Sequence, residues 1–249
     1  MANKEKFEIN KINKTHQRIP LSIHPLQTRM SIVKYICVLD FEANCTDDTK
    51  KVGMDNEVIE FPSVLWKLEN GKLTNLSEFQ LFCKPKNTPI LTDFCKKLTG
   101  ITQDQVDAGT SFPKALKNHE LWLRSNISDF DTNVQNSNVI IVTCGDWDLN
   151  VMAPKEYKNH KIDPHSVYTK YVNIKDEFTK FYNISNSGMA DMLTRLKIPL
   201  EGKHHSGIDD CRNISKILIQ MFNDGYTYER FNICYVFYTK IMSKVIKQK

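Results

Sequence analysis

The chain has 249 residues, 41% of them hydrophobic and 25% charged, with mean hydropathy −0.43 and a formal net charge of +5. These proportions exclude a largely disordered, collagen-like or coiled-coil chain, and the length suits one domain of generous size. No apolar run approaches the roughly 20 residues that span a bilayer, and the first thirty residues carry lysines without an apolar core segment, which predicts no secretory signal.

Residues 1–30 show no clean periodicity and read as a basic arm of net charge +4. Tyr35–Leu39 (YICVL) is a continuous apolar run suited to a buried strand. Val58–Leu68 is rich in β-branched and aromatic residues, and Asn70-Gly71 signals a turn before Leu76–Cys83, so three strands in antiparallel succession open the domain. Thr92 begins a helix that ends at Gly100, Thr102 caps Gln103–Val106, and Ser111 with Pro113 starts a longer amphipathic stretch through Leu116, Leu121 and Leu123. Val139–Thr143 is a second buried strand; the segments around 165–181 and 187–197 look helical. Ile208, Cys211, Ile214, Ile217, Leu218 and Met221 recur at helical spacing, stopped near Gly225. Strands with interspersed helices predict an α/β domain built on a mixed sheet. The end of the chain is basic and aromatic: 226–249 reads either as a nucleic-acid surface or as a final helix over the core, with the helix favoured. Basic ends on a body of net charge −3 suit either polyanion binding or simple solvation. Seven cysteines, odd in number and without a C-x-x-C pair, predict a reduced intracellular compartment, cytoplasmic or nuclear, rather than a disulfide- or zinc-held fold.

Three stretches carry candidate chemistry. Asp40 and Glu42 follow the first buried strand and, two residues apart, project from one face with Phe41 opposite. Close carboxylates repel unless a cation sits between them, and hard divalent ions favour such oxygen ligation, although alone the pair is no more than a strand end. In VTCGDWDL, Asp146 suits a helix cap, Trp147 opens a short helix that Pro154 stops, and Asp148 falls in the first turn, as a site carboxylate or as a partner of the helix dipole. In KHHSGIDDC, Ser206 with Asp209 forms a capping-box variant, Asp210 sits in the first turn, and His205 precedes the cap, where a near-neutral imidazole can take a proton from water; His204 is the bystander.

Taken in order, D-x-E after a first strand, an aspartate after a later one and H-x4-D opening a late helix resemble the DEDDh (DnaQ-like) 3′→5′ exonucleases of the RNase H-like superfamily. The strings LDFEANC, EVIEFP, LTGITQDQVD, VTCGDWDLNVM and HHSGIDDCRNI are closer still to the Eri-type exoribonucleases, including the prion-interacting-protein branch, over residues 34–225. The resemblance implies an RNase H-like mixed sheet flanked by helices, an exonuclease domain over 31–225, and a two-metal phosphodiesterase releasing nucleoside 5′-monophosphates. Asp40, Glu42, Asp148 and Asp210 would hold two Mg²⁺ or Mn²⁺ ions, Glu42 and His205 would be catalytic with His205 the general base, and Glu42, Ala43, Leu98 and His205 would meet the terminal nucleotide. The implied partner is the single-stranded 3′ end of RNA, with no membrane. Two alternatives stay open: a DNA exonuclease of the same fold, because nothing in the sequence reads the 2′-hydroxyl, and a non-catalytic RNA-binding protein, against which the intact set of five residues counts. No SAP-type RNA-binding module is recognisable in residues 1–30, so a stem-loop specificity is not carried over.

Overall fold

The structure, a computed structural model, describes residues 33–48, 56–130, 137–163, 166–185 and 188–236. The expected arm over 1–30 and the chain from 237 onward lie outside the described residues. The elements are β1 (Tyr35–Leu39), β2 (Glu42–Ala43), β3 (Val58–Glu69), β4 (Lys72–Phe82), α1 (Asp93–Thr99), α2 (Gln103–Asp107), α3 (Phe112–Asn126), β5 (Val139–Thr143), α4 (Ala153–His160), β6 (Lys170–Asn173), α5 (Ile174–Tyr182), α6 (Met189–Leu196), α7 (Gly207–Asn223) and β7 (Ile233–Tyr235).

The sheet is mixed. β3 pairs antiparallel with β4, with β1 and, at its start, with the short β2. β1 and β5 run parallel, as do β5 and β6, and β7 closes the far edge antiparallel to β6. Alternation along β1 explains its unbroken apolar run: Tyr35, Cys37 and Leu39 face a core with Phe61, Phe112, Leu123 and Tyr168, whereas Ile36 and Val38 face a second core with Ile214, Leu218 and Met192. The first core lies under α3 and α4, and the second lies under α5, α6 and α7. Both faces being covered, β1 and β5 are buried throughout. This is the α/β architecture, a mixed central sheet flanked by helices, that the sequence predicts. All seven cysteines are free thiols, and among the described residues no helix is long and apolar enough to cross a membrane.

Local punctuation follows its residues. Thr92 accepts from the Cys95 amide at the start of α1, Gly100 takes the left-handed conformation (φ +80°) after its end, and Thr102 with Gln105 completes a capping box on α2. Leu116 and Leu123 of α3 are buried but Leu121 is exposed. Three expectations are corrected. The region 165–181 holds strand β6 between a 3₁₀ turn and α5, because Tyr171 and Val172 fill core positions beside β5. Residues 226–236 form a 3₁₀ turn and the edge strand β7, not a helix; Tyr226, Phe231 and Val236 anchor them in the two cores. Pro154 does not stop its helix. A single π turn over Asp148–Met152, closed by the Ala153 N–H on the Asp148 carbonyl, runs into α4 and leaves the proline in that helix's first turn.

Candidate active site

The alternation that buries Ile36 and Val38 against α7 continues past the end of β1 into Asp40 and Glu42, while Phe41 turns into the opposite core, edge-on to Phe61 at 4.7 Å. β2 then pairs Glu42 with Glu60, and a bulge between Glu42 and Ala43 shifts the register at that point. Both carboxylates therefore emerge where the edge of the sheet meets the start of α7.

Asp210 reaches the same place from α7. Ser206 occupies the cap position but its side chain makes no capping bond, which corrects the capping-box expectation. The free amides at this helix start are met instead by acids: Glu60 accepts from Gly207 (3.1 Å) and Ile208 (3.3 Å), and Asp210 Oδ2 accepts from the His205 N–H at 2.9 Å. Gly207 is required by close approach, since a Cβ there would lie 2.9 Å from the Asp40 carbonyl and 2.7 Å from Pro62. His205 takes the left-handed backbone conformation (φ +68°), strained for a non-glycine residue. Oxygens of Asp40, Glu42 and Asp210 come within 4.8 Å of one another.

Asp148 approaches from the end of β5. It is buried, and its Oδ1 accepts the Phe41 amide at 2.7 Å, which ties the π turn to the segment bearing Asp40 and Glu42. It is not one of the three residues whose oxygens come within 4.8 Å, but among neighbouring charges its own acts most strongly on Asp40. Asp146 is no side-chain cap: its Oδ1 accepts from Tyr171 Oη (2.6 Å) and Asn173 Nδ2 (3.3 Å), linking the loop to β6.

The electrostatics follow from crowding acids in a poorly solvated place. Burial first, then the charges of Asp148, Glu42, Asp210 and Glu60, holds Asp40 well above the usual carboxylate range. Burial and then Asp210, Glu60 and Asp148 push Glu42 up to about 9. Burial raises Asp148 to about 7 against the opposing Phe41 hydrogen bond, and raises Asp210 to about 7 against that of His205. Asp210 is 4% exposed, and its Oδ1 accepts no hydrogen bond. A divalent cation answers both conditions, cancelling the repulsion and taking the idle lone pair, so the donor set fits such an ion. His205 is pulled down by burial, by His204 and by Lys203.

Asp40, Glu42, His205 and Asp210 line a cleft of about 600 Å³ that also takes in Phe41, Ala43, Leu98, Lys175 and His204. Of the residues singled out in the sequence, Asp40, Glu42, Ala43, Leu98, His205 and Asp210 lie on this surface, and the buried Asp148 does not. Sequence reasoning missed two further residues. Trp147, 41% exposed, offers an aromatic face at the rim. Glu60, 1% exposed, fixes the start of α7; an acid inside the otherwise apolar run VIEFP was its signal.

Comparison with known proteins gives a concordant set. The Exonuclease family RNase_T matches residues 37–218. The 3′-5′ exoribonuclease 1 of Rattus norvegicus is 34% identical over 197 residues, 78% of this chain and 55% of its own length. ERI1 exoribonuclease 2 of Xenopus laevis is 32% identical over 222 residues, 85% of this chain and 31% of its own length. The chain thus spans about half of one relative and less than a third of the other. Among solved structures, the nuclease domain of 3′hExo, described as a DEDDh family member bound to rAMP, is 32% identical with a TM-score of 0.72, covering 83% of this chain and 99% of that one.

Proposed function

Because the chain belongs to the RNase_T exonuclease family, we propose that it is a 3′→5′ exoribonuclease that uses two Mg²⁺ or Mn²⁺ ions and releases nucleoside 5′-monophosphates. Divalent-metal dependence is general for the DEDDh family. One observation carries the reading: three carboxylates share a few ångströms on the wall of a cleft, one with a buried oxygen that accepts nothing, beside His205. Asp40, Glu42, Asp148 and Asp210 would hold the metal. When bound, it supplies charge stabilisation to the phosphate and acidity to water.

The rest falls to the chain. His205 takes a proton from water at an imidazole nitrogen, and the Asp210 bond to its backbone N–H keeps the loop in place for that. Glu60 holds the first amides of α7, so Asp210 and His205 keep their positions together. Glu42 and Ala43 meet the terminal nucleotide, and the apolar faces of Leu98 and Trp147 take its base, since stacking on an aromatic surface tolerates any base. RNA as the substrate rests on the names of the relatives.

The test is degradation of labelled single-stranded RNA, stem-loop RNA and DNA with Mg²⁺, Mn²⁺ or EDTA. The reading expects 5′-monophosphates from the 3′ end, RNA faster than DNA, and silence in EDTA. Equal or faster turnover of DNA would move the substrate to DNA. Binding without cleavage would make the chain an RNA-binding protein.

A further inference from the structure

We propose that His204, His205 and Asp210 form a zinc-binding site at the rim of the cleft, through which Zn²⁺ switches the enzyme off. Zinc binding stands on geometry; its inhibitory consequence rests on the reading of His205 as the base.

On an extended chain, consecutive side chains point to opposite sides. Here the left-handed backbone of His205 (φ +68°) folds the two histidines together, their rings stacked at 4.0 Å between centroids and 13° between planes, so that their in-plane lone pairs run nearly parallel and meet at one ion once His204 turns out of the stack. A ring nitrogen from each and a carboxylate oxygen of Asp210 lie within 4.8 Å of one another. The third ligand is already positioned, because the His205 N–H donates to Asp210 Oδ2, and Asp210 Oδ1 is buried with no hydrogen-bond partner.

The donor types select the ion. Two imidazoles and a carboxylate are a common zinc set, whereas Mg²⁺ seeks oxygen alone. Ligands at about 2.0–2.2 Å from one ion in a tetrahedron stand about 3.4 Å apart, so closure draws the ligand atoms in by up to about 1.4 Å. His204 is exposed and free to make this movement. The neighbouring Lys203 ammonium is turned away, 3.1 Å from the Lys97 carbonyl. Water would complete the tetrahedron. Because Asp210 also belongs to the Asp40–Glu42 cluster, Zn²⁺ here occupies the base and withdraws one carboxylate at once.

The experiment titrates Zn²⁺ into the full chain against a chromogenic chelator, comparing wild type with His204→Gln, and then measures Mg²⁺-supported RNA degradation as Zn²⁺ rises. The expected result is zinc affinity about 10-fold or more weaker in His204→Gln, a parallel shift in the zinc concentration for half-inhibition, and unchanged activity without zinc. Equal zinc affinity in the two proteins overturns the site. A shift in affinity without a shift in inhibition overturns the switch. Absence of Mg²⁺-supported degradation in both proteins defeats the proposed function and leaves the chelator result standing.

Discussion

Two acidic clusters of similar size sit in this fold, and they differ in whether they open onto the cleft. Glu57, Glu156 and His160 bring ligand atoms within 4.8 Å, as Asp40, Glu42 and Asp210 do. Yet Glu57 accepts the backbone amides of Lys86 (2.9 Å), Asn87 (2.8 Å) and Thr88 (2.9 Å), Glu156 accepts that of Val58 (2.7 Å), and the remaining Glu156 oxygen, 3.2 Å from His160 Nε2, accepts no hydrogen bond. None of the three residues lines the cleft. In the other cluster, Asp210 Oδ1 accepts nothing and the carboxylates open onto a cavity. Proximity of acids is common to both. What separates the two is access: Glu57 clamps a loop through three backbone amides, whereas the Asp40 cluster opens onto the cleft, where the proposed cation would bind.

The contrast breaks most sharply under isosteric substitution. Asp148→Asn and Asp210→Asn should lower RNA turnover by about 10⁴-fold, as for groups that act as a unit, while Glu57→Gln stays active at permissive temperature. A quantitative 3′-end degradation assay on the three variants checks this. Next in size, His205→Ala should lower kcat by roughly 10²–10⁴-fold, and His204→Ala should leave metal-supported turnover nearly untouched.

Much of this was legible in the sequence because it is local. The strand-end spacing of Asp40 and Glu42, the Thr92 and Thr102 caps, and the helical repeat from Ile208 to Met221 are short-range patterns, and the structure displays each. What escaped depends on distant partners. β6 and β7 exist because neighbouring strands recruit them, which no local propensity reveals. Asp146 looked like a cap until Tyr171, 25 residues away, claimed its oxygen. Ser206 lost its capping role to Glu60, nearly 150 residues earlier. The π turn that carries the helix past Pro154 likewise left no mark in local spacing.

Smaller effects should appear in stability. Glu57→Gln sets an amide against three backbone donors and should cost about 1–3 kcal/mol, read as a lowered midpoint in urea. The Asp40 cluster should show the opposite sensitivity, to pH. Glu42 near 9 and Asp148 and Asp210 near 7 hold protons in the fold that an unfolded chain releases near pH 4. The native state then binds more protons than the unfolded state, so cation-free stability should fall as pH rises from about 5 through 7 to 9. Added Mn²⁺ should restore it, with a larger Tm shift at pH 8.5 than at pH 6, because the ligands must lose their protons. A cation-free protein that gains stability across that window would contradict the cluster's electrostatics. Smallest of all, Asp146→Ala should cost about 1 kcal/mol through its lost hydrogen bonds, visible as a Tm shift with turnover retained.

The central claim is that the Asp40 cluster, and not the Glu57 cluster, holds the metal. Electron paramagnetic resonance of Mn²⁺ titrated into the cation-free protein reads this directly, comparing wild type with Asp148→Asn, Asp210→Asn and Glu57→Gln. The account expects two bound Mn²⁺ in wild type and in Glu57→Gln, and at least one lost in each aspartate variant. Retention of both ions in Asp148→Asn and Asp210→Asn, with loss in Glu57→Gln, would contradict it.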